Sequence, residues 1–438
     1  MSLLREGMTP KMKPLSPKRA VTVSAIDIGT SKVACLIARL RPSAGNDVLP
    51  RRTHAIEVLG IGHTRAVGIK GGNVVDLAEA EGAIRNAVAA AERMAGVELE
   101  SVVVSVSAGR LSSERYAATV PVAGSSVTDG DIERVLAAGS RHSVRPGRAV
   151  LHSLPIGYAL DDAHGIHEPR GMLGRQLGVD MQVATVDAAA VRNLMLCVER
   201  CHLQVEAMAA TSYVAGLAAL SDDESDLGAA VVDMGAGTTT IAVFSGGHFV
   251  HSDGFSLGGR HVTMDLARGL QVGIADAERV KSLYGTVLSG STDERDMIEL
   301  SGSSDDAEPH VVPRSSLVRI IRPRAEEILE MIRDRLSKSP FAAAPRGRVV
   351  LTGGACQLNG IPELAADVLG RQVRIGRPLG LSALPDAAKG PAFAVAAGLL
   401  VYPQVAHLEH FEPRRTRAPK AGNDNYLARV GRWLRESF

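Results

Sequence analysis

Residues 25–34 read AIDIGTSKVA, and residues 231–242 read VVDMGAGTTTIA. Each stretch is an apolar run followed by an aspartate, an apolar residue, a glycine, a short polar turn and a second apolar run. This order predicts two buried strands joined by a tight turn. The copies lie about half of the 438-residue chain apart. The sequence therefore predicts two similar half-molecules whose hairpins face each other across a cleft.

The two turns carry the residue types of a polyphosphate site. Gly29 and Gly235 allow tight turns that point backbone N–H groups into the gap. Asp27 and Asp233 would repel phosphate unless a divalent cation lay between them, and Mg²⁺ combines one or two carboxylates with phosphate oxygens and water. Hydroxyl donors are expected from Thr30, Ser31, Thr238 and Thr239. The alternative is an ordinary β-turn with a satisfied aspartate in each copy, which the repetition disfavours.

Two weaker signals complete the pattern. A short strand runs into Gly353 and Gly354 and precedes a helical segment at 361–369, so a flat ring can approach the backbone there. Glu278 and Lys281 are three residues apart and share a helix face. On spacing alone, the simpler interpretation of that pair is a solvated surface pair.

Composition excludes several functions. Aromatic residues make up 3% of the chain, which argues against stacking platforms for nucleic acid. Four cysteines give neither a disulfide framework nor a zinc site. The longest apolar run, 392–402, is too short to span a bilayer. Residues 1–20 hold five cations against one acid, and residues 413–438 hold seven against two, so basic ends flank an acidic body and suit an anionic surface.

The last fourteen residues predict an amphipathic helix. At about 100° per residue the apolar side chains fall in one arc of roughly 140°. These side chains are Tyr426, Leu427, Val430, Trp433, Leu434 and Phe438, and Arg429, Arg432 and Arg435 lie opposite the arc or at its edge. Such a helix suits the plane of an anionic membrane. The alternative is a helix packed on the body, which the polar linker 412–424 disfavours.

Taken together, the two hairpins, the Gly-Gly strand and the helix with Glu278 and Lys281 resemble the actin-type ATPase superfamily. A narrower resemblance is to its bacterial cell-division branch, the FtsA family. It covers roughly residues 21–411 and the tail. The stretches that carry it are Gly60-Ile61-Gly62, 68–72, Leu151-His152 with Pro155, 198–201, 258–263 and the basic amphipathic C-terminus.

The resemblance implies an α/β fold with a duplicated actin-like (ribonuclease H-like) core and an inserted small subdomain, in two lobes around a central nucleotide cleft. It implies ATP and Mg²⁺ as cofactors, with Asp27 and Asp233 holding the metal through water. By the family's motifs the nucleotide residues are Asp27, Gly29, Thr30, Ser31, Asp233, Gly235, Gly237, Thr238, Thr239, Glu278, Lys281, Gly353 and Gly354. Ala236 replaces a glycine of the usual motif, which places the local loop geometry in question.

The expected organisation follows from the same resemblance and from composition. Residues 1–20 are expected to form a disordered basic arm, and Leu77–Ala95 and 315–336 to be helices, with an exposed loop at 289–310. The predicted domains are 21–109 with 187–227 (first core subdomain), 110–186 (inserted assembly subdomain), 228–262 with 348–411 (second core subdomain), 263–347 (small subdomain of the second lobe), 412–424 (linker) and 425–438 (membrane helix).

The implied function is an ATP-binding protein that polymerises on the inner face of the cytoplasmic membrane at the division site and anchors filaments of the tubulin-like protein FtsZ. Its implied partners are the FtsZ C-terminal peptide, other copies of itself, other division proteins and anionic lipid, without nucleic acid. The FtsZ peptide is assigned to 263–347, where Arg319, Arg322 and Arg324 either meet an acidic peptide or form a solvated helix face. The competing functions are a small-molecule kinase, for which no acceptor base stands out, and a shape-determining actin homologue.

Overall fold

The computed structural model describes residues 9–43, 48–49, 51–108, 110–141, 145–300, 310–344 and 346–410. Two sheets dominate the fold. Strands of the first half of the chain are β1 (Val21–Ile28), β2 (Lys32–Pro42), β3 (His54–Arg65), β4 (Ile69–Lys70), β5 (Asn73–Val74), β6 (Ser101–Val106), β7 (Ser112–Pro121), β8 (Arg148–Leu160), β9 (Ala163–Ile166), β10 (Gln176–Asp187) and β11 (Gln204–Ala210). Those of the second half are β12 (Ala229–Met234), β13 (Thr239–Ser245), β14 (His248–Phe255), β15 (Met297–Leu300), β16 (His310–Pro313), β17 (Arg348–Thr352), β18 (Val373–Ile375) and β19 (Leu381–Ser382).

The strand order shows a duplication. One sheet has the order β11-β6-β1-β2-β3-β19, and the other begins β18-β17-β12-β13-β14. In both sheets the first three strands are parallel and the next two are antiparallel. The two halves predicted from the repeated aspartate hairpins therefore share one five-strand topology.

Helices cover the faces of the sheets. They are α1 (Leu77–Ala95), α2 (Asp129–Gly139), α3 (Ala188–Glu199), α4 (Thr211–Ala219), α5 (Asp222–Leu227), α6 (Gly259–Leu270), α7 (Ile274–Tyr284), α8 (Arg314–Ser337), α9 (Ile361–Leu369) and α10 (Ala394–Val401). None of the helices in the described ranges combines the length and hydropathy needed to cross a bilayer. The apolar run at 392–402 is instead core: every residue of α10 is buried.

Helix α1 forms where its sequence predicts. Asp76 caps it by accepting the N–H of Glu79 at 3.0 Å, and Gly96 ends it in the left-handed conformation. Its buried alanines and Ile84 recur at helical spacing, and Gly62 of β3 lies so close that a Cβ there would come within 2.0 Å of the Ala87 carbonyl oxygen. Small residues thus allow the helix to pack tightly on the first sheet.

The region 110–186 has its own core but shares a sheet with the second lobe. Val135, Leu177 and Met181 belong to a separate buried cluster. Strands β7, β10, β8 and β9 extend the sheet beyond β14, with a pairing between Asp253 and Ser112. The insertion therefore leaves the first half of the chain and continues the sheet of the second half.

The structure corrects one expectation of disorder and one of loop structure. Residues 9–20 lie on the body, with Thr9 4% exposed, so they are not a free arm; residues 1–8 lie outside the described ranges. Within 289–310, β15 pairs with β16, so Met297–Leu300 is a strand rather than loop. Both segments are short and rich in polar residues, and long-range partners in the fold decide their structure. The linker 412–424 and the helix at 425–438 also lie outside the described residues.

A buried polar network joins both ends of the described chain to β8. The Glu409 carboxylate accepts the Nδ1–H of His152 at 2.7 Å and the Tyr402 hydroxyl at 3.0 Å. Lys11 Nζ lies 3.5 Å from the same carboxylate and donates to the Leu151 carbonyl at 2.9 Å. The backbone N–H of Ala210 donates to His152 Nε2, which leaves the imidazole proton on Nδ1.

Replacing Glu409 with Gln is expected to destabilise the protein in a pH-dependent way. Burial raises the pKa of Glu409, but His152, Lys11 and Tyr402 outweigh this effect, so its pKa lies below the ordinary value of 4.5. The stabilisation from the ionised carboxylate is therefore complete at neutral pH and lost as pH falls below that value. We expect urea unfolding to show a loss of about 1–3 kcal/mol at pH 7 that shrinks in acid. Glu57→Gln, which breaks an exposed pair with Arg41, is the control; equal losses in both variants would contradict the assignment.

Candidate functional site

The two aspartate hairpins turn in the same way. Gly29 N–H donates to the Lys32 carbonyl at 2.9 Å, and Gly235 N–H donates to the Thr238 carbonyl at 2.9 Å. The strand registers place Asp27 opposite Ala34 and Asp233 opposite Thr240. Each aspartate thus lies two residues before the turn glycine, at the end of a buried strand and facing the gap between the lobes.

The two carboxylates and one ammonium form the charged centre of this gap. Ser105 Oγ donates to Asp27 at 2.7 Å. Burial raises the pKa of both carboxyls, and the negative charge of Asp27 helps to raise that of Asp233 to about 7. Lys32 opposes both shifts and has its own pKa lowered, first by burial. The centre therefore holds more buried negative charge than one ammonium neutralises, and a further cation would relieve it.

The hairpins touch where the first turn meets the second. Thr30 is 6% exposed and its hydroxyl accepts the N–H of Gly72 at 3.1 Å. A Cβ built on Gly237 would lie 2.5 Å from Thr30 Oγ1. Gly237 is therefore required for the close approach of the two turns, whatever else it binds.

The second lobe forms the opposite wall. The first N–H groups of α6, at Gly259 and Arg260, donate to the carbonyls of Gly235 and Ala236 at 3.0 and 2.8 Å. Lys281 Nζ lies 2.7 Å from Glu278 Oε2 and donates to Thr263 Oγ1 at 2.8 Å. The Lys281 side chain is 15% exposed and that of Glu278 is 53% exposed. Both contact Thr263, so the pair bridges α6 and α7, with its lysine largely buried and its carboxylate open to solvent.

Gly353 lies against the base of the second hairpin. Its φ is +83°, and a Cβ would lie 2.4 Å from the Met234 carbonyl oxygen and 2.6 Å from Asp233 Oδ1. Gly354 has an ordinary φ and no neighbouring atom within 4 Å of such a Cβ. The fold thus requires glycine at position 353, whereas Gly354 exposes its backbone to the cleft and has room for a side chain.

The cleft between the lobes has a volume of about 930 Å³, a size suited to a nucleotide. It contains all but one of the predicted site residues. Those that line it are Asp27, Gly29, Thr30, Ser31, Asp233, Gly235, Gly237, Thr238, Glu278, Lys281, Gly353 and Gly354. Backbone turns, two carboxylates and several cations in one cleft are chemically suited to a metal–polyphosphate ligand.

Comparison with curated proteins gives the family. The cell division protein FtsA of Agrobacterium fabrum is 53% identical over 432 residues, covering 98% of each chain. The protein of the same name from Escherichia coli is 30% identical over 423 residues, covering 95% of this chain and 98% of the relative. This chain belongs to the FtsA family of cell-division proteins. The FtsA family model itself matches residues 230–398, and a model described as the SHS2 domain inserted in FtsA matches 108–185.

Solved structures show that this FtsA-family chain has the actin-like fold. The PilM–PilN type IV pilus biogenesis complex matches with a TM-score of 0.60 and 18% identity, covering 88% of this chain and 99% of that one. MreB5 of Spiroplasma citri bound to AMPPNP matches with a TM-score of 0.51 and 14% identity, covering 87% and 95%. A family model for the pilus assembly protein PilM also matches residues 173–286.

The structure of the FtsA-family chain corrects one predicted residue and shows which positions of the two turns correspond. Thr239 is fully buried and donates to the Leu257 carbonyl at 2.8 Å, so it does not line the cleft. The matching turn hydrogen bonds make Lys32, and not a hydroxyl residue, the counterpart of Thr238. The φ of Ala236 is negative, so alanine fits the loop without strain.

Four cations that line the cleft were not predicted from the sequence. Lys32 Nζ donates to the Ala392 carbonyl at 2.6 Å and lies 3.4 Å from the centre of the Phe393 ring. Arg65, Arg260 and Arg314 line the same cleft. Lys32 follows Ser31 directly, so its place in the first turn was a usable signal. Arg65 ends β3, Arg260 follows a glycine pair and Arg314 begins α8, and no local pattern distinguishes these arginines.

The arginines of α8 do not form a free basic face. Arg322 pairs with Glu326 and Arg324 with Asp265 and Glu327, while Arg319 donates to Ser316 Oγ. The alternative of a solvated, internally paired helix face is therefore the better description. The acids at the next helical turn, Glu326 and Glu327, predict such pairing.

The two neighbouring glycines allow a matched test of the cleft. Gly353→Ala is expected to destabilise the fold, because a Cβ meets backbone and the φ is positive. Gly354→Ala is expected to leave thermal unfolding unchanged but to weaken ATP binding, since the methyl group occupies the cleft. Calorimetric melting and titration with ATP separate the two effects. Full ATP affinity in a folded Gly354→Ala protein would contradict the adenosine role of this strand.

Proposed function

We propose that the chain binds ATP with Mg²⁺ in the cleft between its lobes. The observation that carries the proposal is the meeting of two equivalent turns and two buried carboxylates in one 930 Å³ cleft. Gly29, Ser31, Gly235 and Thr238 are proposed to hold the phosphates, with Gly353 and Gly354 against the adenosine and Glu278 and Lys281 toward the ribose and base.

The residues of the cleft suit a Mg²⁺ ion that is shared with phosphate and water better than a metal ion whose ligands all come from the protein. Within the described ranges no group of three acidic, histidine or cysteine side chains forms a metal cage. Two carboxylates with phosphate oxygens and water are a typical Mg²⁺ environment. Asp27 and Asp233 would hold the ion, which supplies the positive charge that their burial lacks.

We infer that ATP acts chiefly by favouring a closed arrangement of the lobes. A ligand that contacts both hairpins shifts the population toward the conformation in which the hairpins are close. The closed form then favours contacts between protomers, to which the inserted subdomain contributes. The proposed role is thus assembly into a filament, with at most weak ATP hydrolysis.

We propose that the filament is held at the cytoplasmic membrane by the helix 425–438 and binds the FtsZ C-terminal peptide through 263–347. Apolar side chains are exposed in that subdomain, including Met297 and Val311 on one face of the β15–β16 hairpin. Such a surface is suited to an amphipathic peptide. Because the α8 arginines are paired, apolar contacts are expected to dominate that binding.

Vesicle sedimentation tests the whole proposal. With vesicles of phosphatidylglycerol and phosphatidylcholine, the protein is expected to sediment more completely with Mg·ATP than without nucleotide, and to carry FtsZ filaments with it. Zwitterionic vesicles are the control. FtsZ sedimentation that does not depend on this protein, or protein binding that ignores ATP, would reject the corresponding part of the proposal.

A further inference from the structure

The N-terminal segment (residues 9–20) runs beside residues 404–410 of the body. Thr9 donates through both its N–H and its hydroxyl to the Val150 carbonyl, at 3.3 and 3.1 Å. Lys11 contacts Glu409, and the Ser16 carbonyl lies 3.3 Å from His54 Nε2. The backbone N–H of His54 in turn donates to Gln404 Oε1 at 3.0 Å. Residues 11–16 therefore follow residues 404–409.

The root of the C-terminal tail is fixed at the same place. His410 N–H donates to the Ser153 carbonyl at 2.8 Å, and its own carbonyl accepts the Ser140 hydroxyl at 3.2 Å. Val150 and Ser153 are three residues apart on β8, which is about 10 Å along a strand. The tail from residue 411 onward thus starts beside the N-terminal segment.

The charged side chains of this segment are all positive. Residues 9–20 contain four cations and no acid. Lys11 turns inward to Glu409, while Met12 and Leu15 pack on the core of the first lobe. Lys13, Lys18 and Arg19 are exposed. The inward residues hold the backbone in place. The outward residues form a basic stretch that starts near the tail root, where Lys11 contacts Glu409, and runs away from it past Ser16 and His54.

We propose that Lys13, Lys18 and Arg19 form a second contact with the anionic membrane surface, beside the tail. This inference rests on the proposed membrane role of the tail. A tail helix lying in the membrane brings its root close to the headgroups, and exposed cations on a segment that starts at that root enter the negative surface potential when the segment lies along the membrane. The added contact also restricts how the body can rotate about the linker, because attachment at two places fixes an orientation.

A triple neutralisation tests the proposal in the full-length chain. Lys13→Gln, Lys18→Gln and Arg19→Gln together are expected to lower partitioning onto phosphatidylglycerol vesicles by about tenfold to a hundredfold at low salt. The loss is expected to shrink at high salt, because the interaction is screened. Thermal unfolding is expected to stay unchanged, since the three side chains are exposed.

The matched control removes three charges elsewhere. Lys70→Gln, Lys338→Gln and Arg346→Gln remove exposed cations far from β8 in sequence and alter net charge equally. Equal losses in the two triple variants, or no loss in the first, would overturn the proposal. The proposed membrane attachment by the tail is tested separately, and it is rejected if the Trp433→Glu protein stays on the vesicles.

A fluorescent label reports whether the N-terminal segment lies at the membrane, independently of the affinity of the protein for vesicles. A solvent-sensitive dye on Lys13→Cys, in a Cys201→Ser background because Cys201 is the least buried cysteine, is expected to shift to the blue when the protein binds vesicles. The same dye on Lys338→Cys is expected not to shift. Identical responses at the two positions would place the N-terminal segment away from the membrane and overturn the proposal.

Discussion

Asp233→Asn is expected to lower the affinity for ATP in the presence of Mg²⁺ by tenfold or more, which corresponds to about 1.4 kcal/mol. The substitution keeps the shape of the side chain and removes a charge that faces the proposed metal. Asp233 is 7% exposed and lies at the centre of the cleft, so the lost attraction is not replaced by solvent. Isothermal titration with Mg·ATP measures the change.

Metal removal makes this test specific. With EDTA present, the carboxylate of the parent repels the phosphates, so the difference in ATP affinity between the two proteins is expected to vanish or reverse. Asp180→Asn, at an exposed position of the inserted subdomain, controls for loss of one negative charge. Equal Mg·ATP binding by the Asp233→Asn protein and its parent would remove Asp233 from the metal site.

The same variant is expected not to lose stability without nucleotide. The pKa of Asp233 is raised to about 7, so the folded protein binds a proton that the unfolded chain releases near the ordinary value of 3.8. The stability contribution of this group is therefore full below 3.8 and falls as pH rises toward 7. At pH 8 the amide avoids the burial of a charge, and the melting temperature of the variant is expected to equal or exceed that of the parent.

The parts of the cleft that could be predicted are those encoded locally. Asp27 and Gly29 belong to a strand-turn-strand pattern of about ten residues. Because the same pattern recurs in the second half of the chain, the hairpin on the other side of the cleft could be predicted as well. The duplication was visible for the same reason. The topology of the two sheets followed from the family resemblance rather than from the pattern itself.

The parts that could not be predicted depend on contacts between distant segments. Thr239 has the residue type of a phosphate donor, yet the Leu257 carbonyl, eighteen residues away, takes its hydroxyl. The N-terminal residues have the composition of a free arm, but β8 and Glu409 hold them. Local sequence gives residue type and spacing, whereas the fold decides which partner satisfies each polar group.

Trp433→Glu is expected to release the protein from anionic vesicles. Burying a large apolar side chain contributes roughly 1.5–3 kcal/mol, and each arginine at an anionic surface adds about 1 kcal/mol. Ordering the tail costs conformational entropy, so neither contribution alone holds a protein of this size. Glu at position 433 removes the largest side chain of the arc that contains Leu434 and Phe438 and places a charge at the edge of that arc. The apolar contribution is then greatly reduced, and the attraction that remains is too weak for stable attachment.

Two comparisons separate the apolar part from the electrostatic part. Ala428→Glu introduces the same charge about 150° away from the centre of the apolar arc, and it is expected to weaken vesicle binding far less than Trp433→Glu. Arg432→Ala with Arg435→Ala is expected to cause a smaller loss that disappears at high salt, because only the electrostatic part is screened. ATP binding and thermal unfolding are expected to be unchanged in all three proteins. If the Trp433→Glu protein instead unfolds, the helix packs on the body, and attachment must come from another surface.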